Sequence, residues 1–278
     1  MRTWLITGCS KGFGRGIARR VLEAGDNVVL TARDPATLRD LADKYPGSAL
    51  ALKLDVNCPE DIEAAVAAGK DRFGTVDVLV NNAGYCLRGA VEECDMDAVY
   101  REYETNLFGP IRLIRAVLPM MRAQRSGLIV NFSSVAAISA GAGSAYYGSA
   151  KAAIEGLSEG LQKEVAPLGI RIMIVEPAPF PTDFHNGSLD IALQNIPDYA
   201  ETSGKRKVRR EDPAAADPAR KWGNVEKGMD ALVSVCMSDD PPFRLPLGST
   251  AIGVFEKMAE SRKKEIEEWK DVILSADD

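Results

Sequence analysis

Six stretches of the chain are apolar almost throughout, and between them run segments rich in helix formers. The stretches are 3–7 (TWLIT), 27–32 (NVVLTA), 49–56 (ALALKLDV), 76–80 (VDVLV), 127–134 (GLIVNFSS) and 169–177 (GIRIMIVEP). Strands that are apolar on both faces and separated by helices imply a parallel sheet covered on both sides, with ligands beyond the strands' carboxyl ends. The predicted helices include one that stops at Gly25, one opened by Asp34 as N-cap with Pro35 in its first position, and one over 59–73. A single long helix is expected from Asp97 to Arg125, with Asn106 and Gly109 inside it and a bend around Pro119. From Tyr147 onward, Ala153, Ile154, Leu157 and Leu161 recur at helical intervals. Near the end come a helix at 225–237 and a last strand, PFRLPLG, placed at an edge because Pro246 cannot donate to a ladder. A long amphipathic helix over 249–274 completes the pattern. The fold class is therefore α/β: a doubly wound, Rossmann-like parallel sheet of about seven strands with helices on both faces, in one domain spanning 1–278.

Composition narrows the function classes. With 46% hydrophobic residues the chain has enough apolar material for a substantial core. No run of about 18 apolar residues is present, and the N-terminus passes straight into a strand, so the chain reads as soluble, without a membrane span, and cytoplasmic. Its five cysteines, Cys9, Cys58, Cys86, Cys94 and Cys236, are scattered and form no C-x-x-C pair, which suits reduced thiols used as small apolar residues. With His185 as the only histidine, no metal site of the usual spacing is expected. A net charge of −6 speaks against a nucleic-acid partner. The cluster Lys205, Arg206, Lys207, Arg209 and Arg210 is the exception, and it reads as a solvated loop or helix face.

Two segments carry chemistry. The first strand runs into GCSKGFG, a glycine-rich turn that opens a helix, and this is the geometry of a phosphate site: tight turning, close backbone approach and free N–H groups at a helix N-terminus. The spacing Gly-x-x-x-Gly-x-Gly differs from the usual G-x-G-x-x-G fingerprint. The second segment, Ser133 to Lys151, holds Tyr147 and Lys151 one helical turn apart on one face. An ammonium near a phenol stabilises the phenolate and lowers a pKa that is ordinarily about 10, giving a tyrosine able to release and recover a proton. Tyr146 has no lysine four residues on and is assigned to packing.

In order and on suitable elements, TGCSKGFG (7–14), NNAG (81–84) and Ser134 followed by Tyr147-x-x-x-Lys151 resemble the short-chain dehydrogenase/reductase superfamily over about residues 1–184. Asn106, in TNLFG, matches the place of that family's catalytic asparagine. The resemblance implies an oxidoreductase interconverting a ketone or aldehyde and an alcohol. In it Tyr147 acts as general acid/base, Ser134 bonds the substrate oxygen, Lys151 tunes Tyr147 and holds the nicotinamide ribose, and Asn106 anchors a water that resupplies protons. Ser133 is expected to be structural. The cofactor contacts implied are Gly8, Ser10, Lys11, Gly12, Phe13, Gly14, Arg33, Asp55, Val56, Asn82, Ala83, Gly84, Tyr147, Lys151, Pro177 and Thr182.

The end of strand two selects the cofactor. NAD-preferring members place an acid there for the ribose 2′-hydroxyl, whereas here Ala32 is followed by Arg33, which pairs with a 2′-phosphate; Lys11 resembles a second cation of NADP-preferring members. The expected cofactor is NADP(H). One departure from the family pattern is Ala178 in EPAPFPTDF, where the family has a glycine; alanine resists positive φ. Residues 185–222 are the expected substrate lid, with Leu189, Ile191, Ile196 and Tyr199 as pocket or packing residues and His185 near the site. By analogy the partners are a small carbonyl or alcohol substrate and further copies of the chain in a homodimer or homotetramer. The reading from a different class is a redox sensor that binds the nucleotide without turnover.

Overall fold

Alternation along each strand divides the core in two. In the first strand, β1 (Thr3–Ile6), Trp4 and Ile6 join one cluster while Leu5 joins the other, and all three are fully buried. The computed structural model describes residues 1–182, 184, 187–207 and 221–277. It continues with α1 (Gly12–Glu23), β2 (Asn27–Ala32), α2 (Arg39–Lys44), β3 (Ala49–Lys53), α3 (Pro59–Phe73) and β4 (Val78–Asn81). A short β5 (Cys86–Arg88) precedes α4 (Met96–Tyr103), α5 (Gly109–Gln124), β6 (Gly127–Phe132), α6 (Ala145–Val165) and β7 (Ile170–Pro177). The chain closes with β8 (Leu189–Ile191), α7 (Val225–Met237), β9 (Arg244–Leu247), α8 (Ser249–Glu268) and α9 (Lys270–Leu274).

Seven strands form one parallel sheet in the order β3-β2-β1-β4-β6-β7-β9. Side chains of α1 and α7 pack with Trp4 and Ile6 on one face, and those of α3, α5 and α6 with Leu5 on the other. The order reverses between β1 and β4, and a crevice at such a switch point is where open α/β sheets take ligands. β9 pairs with β7 alone and carries Pro246, so the expected edge strand is an edge strand. No helix among the described residues is long and apolar enough to cross a membrane.

Three expected elements differ. The helix expected over 97–125 is two helices joined by a π-helical turn, Glu104–Phe108, and the irregularity is at Asn106, while Pro119 lies within α5. The Asn106 side chain takes both backbone groups of Tyr85, accepting from its N–H at 3.2 Å and donating to its carbonyl at 2.8 Å, which accounts for the wider turn. The segment after Asp34 begins as a 3₁₀ turn, Pro35–Leu38, with the Asp34 carboxylate capping the Ala36 N–H as expected. The last helix breaks at Trp269, and its exposed Ile252, Ile266 and Trp269 show how little of it is packed. The two-stranded sheet of β5 and β8 was not expected at all; it draws Leu189 and Ile191 out of the lid segment into a ladder beside Leu87.

Candidate active site

Thr7, at the end of β1, ties the glycine turn to the end of β4. Its hydroxyl accepts from the N–H groups of Asn82 and Ala83, both at 3.0 Å, and the Asn82 amide donates back to the Thr7 carbonyl at 2.7 Å. Gly8 turns with φ +73°, and a side chain at Gly14 would drive into the Gly8 carbonyl and the Asn82 amide, so the two segments approach as closely as backbone allows. The N-terminus of α1 has no side-chain cap, leaving its N–H groups facing the turn. A cleft of about 600 Å³ opens there, lined by Gly8, Ser10, Lys11, Gly12, Phe13, Arg33, Asp55, Val56, Asn82, Ala83, Gly84 and Thr182. Twelve predicted contacts therefore meet in one place; Gly14 lies beneath as a packing position.

A second cavity, of about 430 Å³, shares Phe13, Asn82, Gly84, Thr182 and Phe184 with the first. Ser134, Tyr147, Lys151 and Pro177 line it. Their placement follows from a buried polar ladder. Asn81 donates to the Asn131 side-chain oxygen at 2.8 Å, Asn131 to the Ser158 hydroxyl at 2.9 Å, and Ser158 to the Ile154 carbonyl at 2.7 Å, which fixes α6 against β4 and β6. Beside it, Ser133 hydrogen-bonds Glu155 at 2.5 Å, so Ser133 is structural as expected. Glu155 and the fully buried Glu176 share the Arg244 guanidinium at 2.7 Å each, with Glu159 at 2.5 Å. Phe13 stacks edge-on to Phe180 with centroids 5.1 Å apart and tilts against Phe132 at 5.8 Å, closing the floor where the two cavities join.

Asn106 lines neither cavity. It sits beside them, however: a side chain built on Gly84 would come 2.6 Å from Asn106 Oδ1 and 3.6 Å from Lys151 Nζ. The buried Lys151 ammonium donates to the Phe132 carbonyl at 2.8 Å and lies 5.7 Å from the centre of the Tyr147 ring. Tyr146 hydrogen-bonds the Val91 carbonyl and packs near Leu87, in keeping with its assignment.

The electrostatics correct one expectation. The protein's own groups do not make Tyr147 acidic: burial pushes the phenol well above its ordinary value, the Cys86 thiol adds to this, and a hydrogen bond from Ser134 works against it. Burial likewise pulls Lys151 down to about 8, offset in part by Glu102 and Cys86. Desolvation dominates at both groups because each has left water. Glu102, which sequence reading missed, is fully buried; its Oε1 accepts the Leu87 N–H at 2.7 Å, its Oε2 has no partner among the described residues, and burial raises it to about 7. The thiols Cys9 and Cys86 are pushed up to about 12 by burial, consistent with inert packing.

Ala178 raises no strain. Among the described residues Arg125 is the only non-glycine with positive φ, and the Ala178 N–H extends the ladder to the Leu247 carbonyl at 2.8 Å. In the lid segment Leu189 lines the glycine-turn cleft, whereas Ile196 and Tyr199 line neither cavity; the Ile196 N–H is held by Glu93 at 2.9 Å and the Tyr199 hydroxyl by Glu92 at 2.5 Å. The basic cluster is a solvated loop at Lys205 and Arg206, which are exposed, but not at Lys207. Lys207 is buried against Glu93 at 3.3 Å, Lys205 pairs with Glu201, and Arg206 lines the second cavity. Arg209, Arg210 and His185 lie outside the described residues. Arg88 also lines the second cavity and was missed; on a three-residue strand it gives no periodic signal.

Comparison with known proteins agrees with this geometry. The profile of the short chain dehydrogenase family matches residues 2–190. An oxidoreductase of Botryotinia fuckeliana, BOA17, is 34% identical, with 99% of each chain covered. A crystal structure of a short-chain dehydrogenase from Streptomyces avermitilis is 40% identical and superposes with a TM-score of 0.90 over 99% of this chain and 98% of that one. A short-chain dehydrogenase from Burkholderia cenocepacia, solved in complex with NADP, shares the fold at 23% identity, with a TM-score of 0.74 over 96% and 98% of the two chains. Glycine turn, Ser-Tyr-Lys cavity, sequence profile and relatives converge, and the chain belongs to the short-chain dehydrogenase family of oxidoreductases.

Proposed function

We propose that the protein is an NADP(H)-dependent carbonyl reductase, or secondary-alcohol dehydrogenase, in which Tyr147 is the general acid/base. The observation that carries this reading is the placement of Ser134, Tyr147 and Lys151 around one cavity that opens into the glycine-turn cleft. The residues present fit the cofactor: an uncapped helix N-terminus faces a turn with no room for a side chain at Gly14, and Arg33 and Lys11 line the cleft without an ion pair among the described residues. The Burkholderia protein that shares the fold was solved with NADP. When bound, NADPH supplies the hydride to the carbonyl carbon.

The chain's own residues handle the oxygen. Ser134 and Tyr147 offer hydroxyl hydrogens to the carbonyl oxygen, stabilising charge as it develops, and Tyr147 gives up its proton to complete the alcohol. A phenol held above its ordinary pKa is fully protonated at neutral pH, which suits reduction. The reverse direction needs the phenolate, and the nearby Lys151 ammonium is the group placed to support it. Asn106 holds the Tyr85 backbone beside Lys151 and keeps the proton path in position. We assign the protein to the cytoplasm as a homodimer or homotetramer, using the helices α4 to α6, whose outer residues Tyr100, Phe108 and Leu157 are exposed.

The test is NADPH oxidation against a broad carbonyl panel, run with Tyr147→Phe. Wild-type turnover with a loss of at least about 10³-fold in kcat for the variant is expected, since the variant keeps the ring and removes the proton. Tight NADPH binding with no turnover on any carbonyl would favour the sensor reading instead.

A further inference from the structure

The cavity that holds Ser134 and Tyr147 is strongly one-signed. Among the described residues three cations line it, Arg88, Lys151 and Arg206, and no carboxylate does, in a chain whose net charge is −6. Lys151 is accounted for by its bond to the Phe132 carbonyl, Arg88 has the Cys86 thiol as a neighbour, and Arg206 is exposed at the cavity. Neither guanidinium lies within 4.0 Å of a carboxylate among the described residues. Arg88 Nε is buried and has no hydrogen-bond partner there. Arg206 lies so close over Gly141 that a side chain at that position would collide with its guanidinium, and its pKa is lowered first by burial and then by the charge of Arg88. Two like charges brought together in a half-dry cavity repel each other, and an anion between them converts that repulsion into two charge-assisted, fork-shaped contacts. The rest of the lining mixes apolar side chains, Phe132, Val135, Phe180 and Phe184, with the hydroxyls of Ser139, Ser144 and Thr182.

We infer that the substrate carries an anionic oxygen group, a carboxylate or a phosphate, on an apolar body, and that Arg88 and Arg206 bind that group while Ser134 and Tyr147 receive the carbonyl. This rests on the reductase reading for the carbonyl end alone. The arginines arrive from distant parts of the chain, Arg88 at the end of β5 and Arg206 in the 3₁₀ turn Gly204–Arg206, so the anion would bridge the two. A positive cavity in an acidic protein further steers anions to the one place where they react.

The experiment compares a series of oxo-acids of increasing chain length with their methyl esters and with the corresponding oxo-alkyl phosphates, using NADPH and the full chain. A preference in kcat/KM of at least about tenfold for the acid or the phosphate over the neutral ester is expected, and the stronger of the two arms identifies the anion. In Arg206→Glu and Arg88→Met that preference should fall at least about tenfold, through KM with kcat little changed, and Arg88→Lys should restore part of it. Esters used as well as acids, or a preference that survives in both arginine variants, would overturn the inference and leave the reductase reading standing. If no carbonyl is reduced at all, calorimetry with the matching hydroxy-acid and NADP⁺ decides. Binding that is lost in the two variants upholds the anion site without the reductase reading, and no binding, or binding unaffected by either variant, overturns it.

Discussion

The two cavities that meet at Phe13, Asn82, Gly84, Thr182 and Phe184 are built from different materials. The glycine-turn cleft is made largely of backbone: strand ends, a turn held close at Gly8 and Gly14, and a helix N-terminus, with the cations Lys11, Arg33 and Arg101 among its lining. The cavity of Ser134, Tyr147 and Lys151 is made of side chains, and their positions depend on buried polar networks in the sheet and α6 beneath them. A backbone site tolerates change in surrounding side chains but not a Cβ at the turn. A side-chain site tolerates neither loss of a cation nor loss of the ion that holds its supports.

The sharpest test of that contrast is Arg244→Met. It would leave Glu155 and the fully buried Glu176 without their shared cation below the cavity of Ser134, Tyr147 and Lys151, and an uncompensated buried charge costs about 3–5 kcal/mol. A melting point lower by at least about 6 °C is expected, with partial recovery in the double variant Arg244→Met/Glu176→Gln. A shift under about 2 °C would mean that the network is ornamental to stability.

Glu102 gives the second test, because it joins the two regions: it holds the Leu87 N–H and its charge reaches Lys151. Its carboxyl is raised to about 7 from an ordinary 4.5, so the folded state binds its proton more tightly than the unfolded chain does. The resulting stabilisation is fully present below about pH 4.5 and is lost as pH rises through about 7, an effect on the order of 3 kcal/mol across that window. Glu102→Gln keeps the hydrogen bond without the titration. Denaturant melts should show wild type losing ground to the variant between those two pH values; parallel curves would place Glu102 at an ordinary pKa.

These two sites also mark where the sequence stops being readable. The parallel sheet and the gathering of Ser134, Tyr147 and Lys151 on one cavity were readable because apolar runs and short motifs are local signals. The π turn at Asn106 was not, since one extra residue in a turn leaves the apolar periodicity nearly intact and its cause is a bond to Tyr85 from far along the chain. Arg206 and Lys207 looked alike in a basic run. One turns into a cavity and the other is buried on Glu93, a difference made by partners more than a hundred residues away. Arg88 and Glu102 are exceptions to the rule that charges are solvated, and only the packing of β5 against α4 reveals them.

Gly14→Ala probes the backbone side. The added methyl meets the Gly8 carbonyl, which is backbone, and the Asn82 side-chain amide, which is pinned by its bond to the Thr7 carbonyl, so overpacking on the order of 1–3 kcal/mol is expected. NADPH affinity, measured by fluorescence titration, should weaken at least about tenfold while Tyr147 and Ser134 keep their places. Unchanged affinity would show that the turn has slack enough to take the methyl.

The smallest expected effect belongs to the edge of the cleft. Arg33 follows the last residue of β2, is exposed, and lines the glycine-turn cleft with no carboxylate partner among the described residues. In that position a guanidinium attracts a 2′-phosphate and an aspartate repels it, whereas a 2′-hydroxyl can be accepted as a hydrogen-bond donor by the aspartate. Arg33→Asp should therefore raise KM for NADPH and lower it for NADH, moving the ratio of the two kcat/KM values by roughly 10- to 100-fold, or about 1–3 kcal/mol. Because the side chain is exposed, the wild-type preference should also shrink as ionic strength rises, since surface charges are screened within about 10 Å at 0.1 M salt. The variant should show the opposite slope with salt, as its repulsion is screened in turn. A ratio that moves less than about threefold, with no salt dependence in either protein, would take the 2′-phosphate away from Arg33 and leave Lys11 as the remaining cation on that side of the cleft.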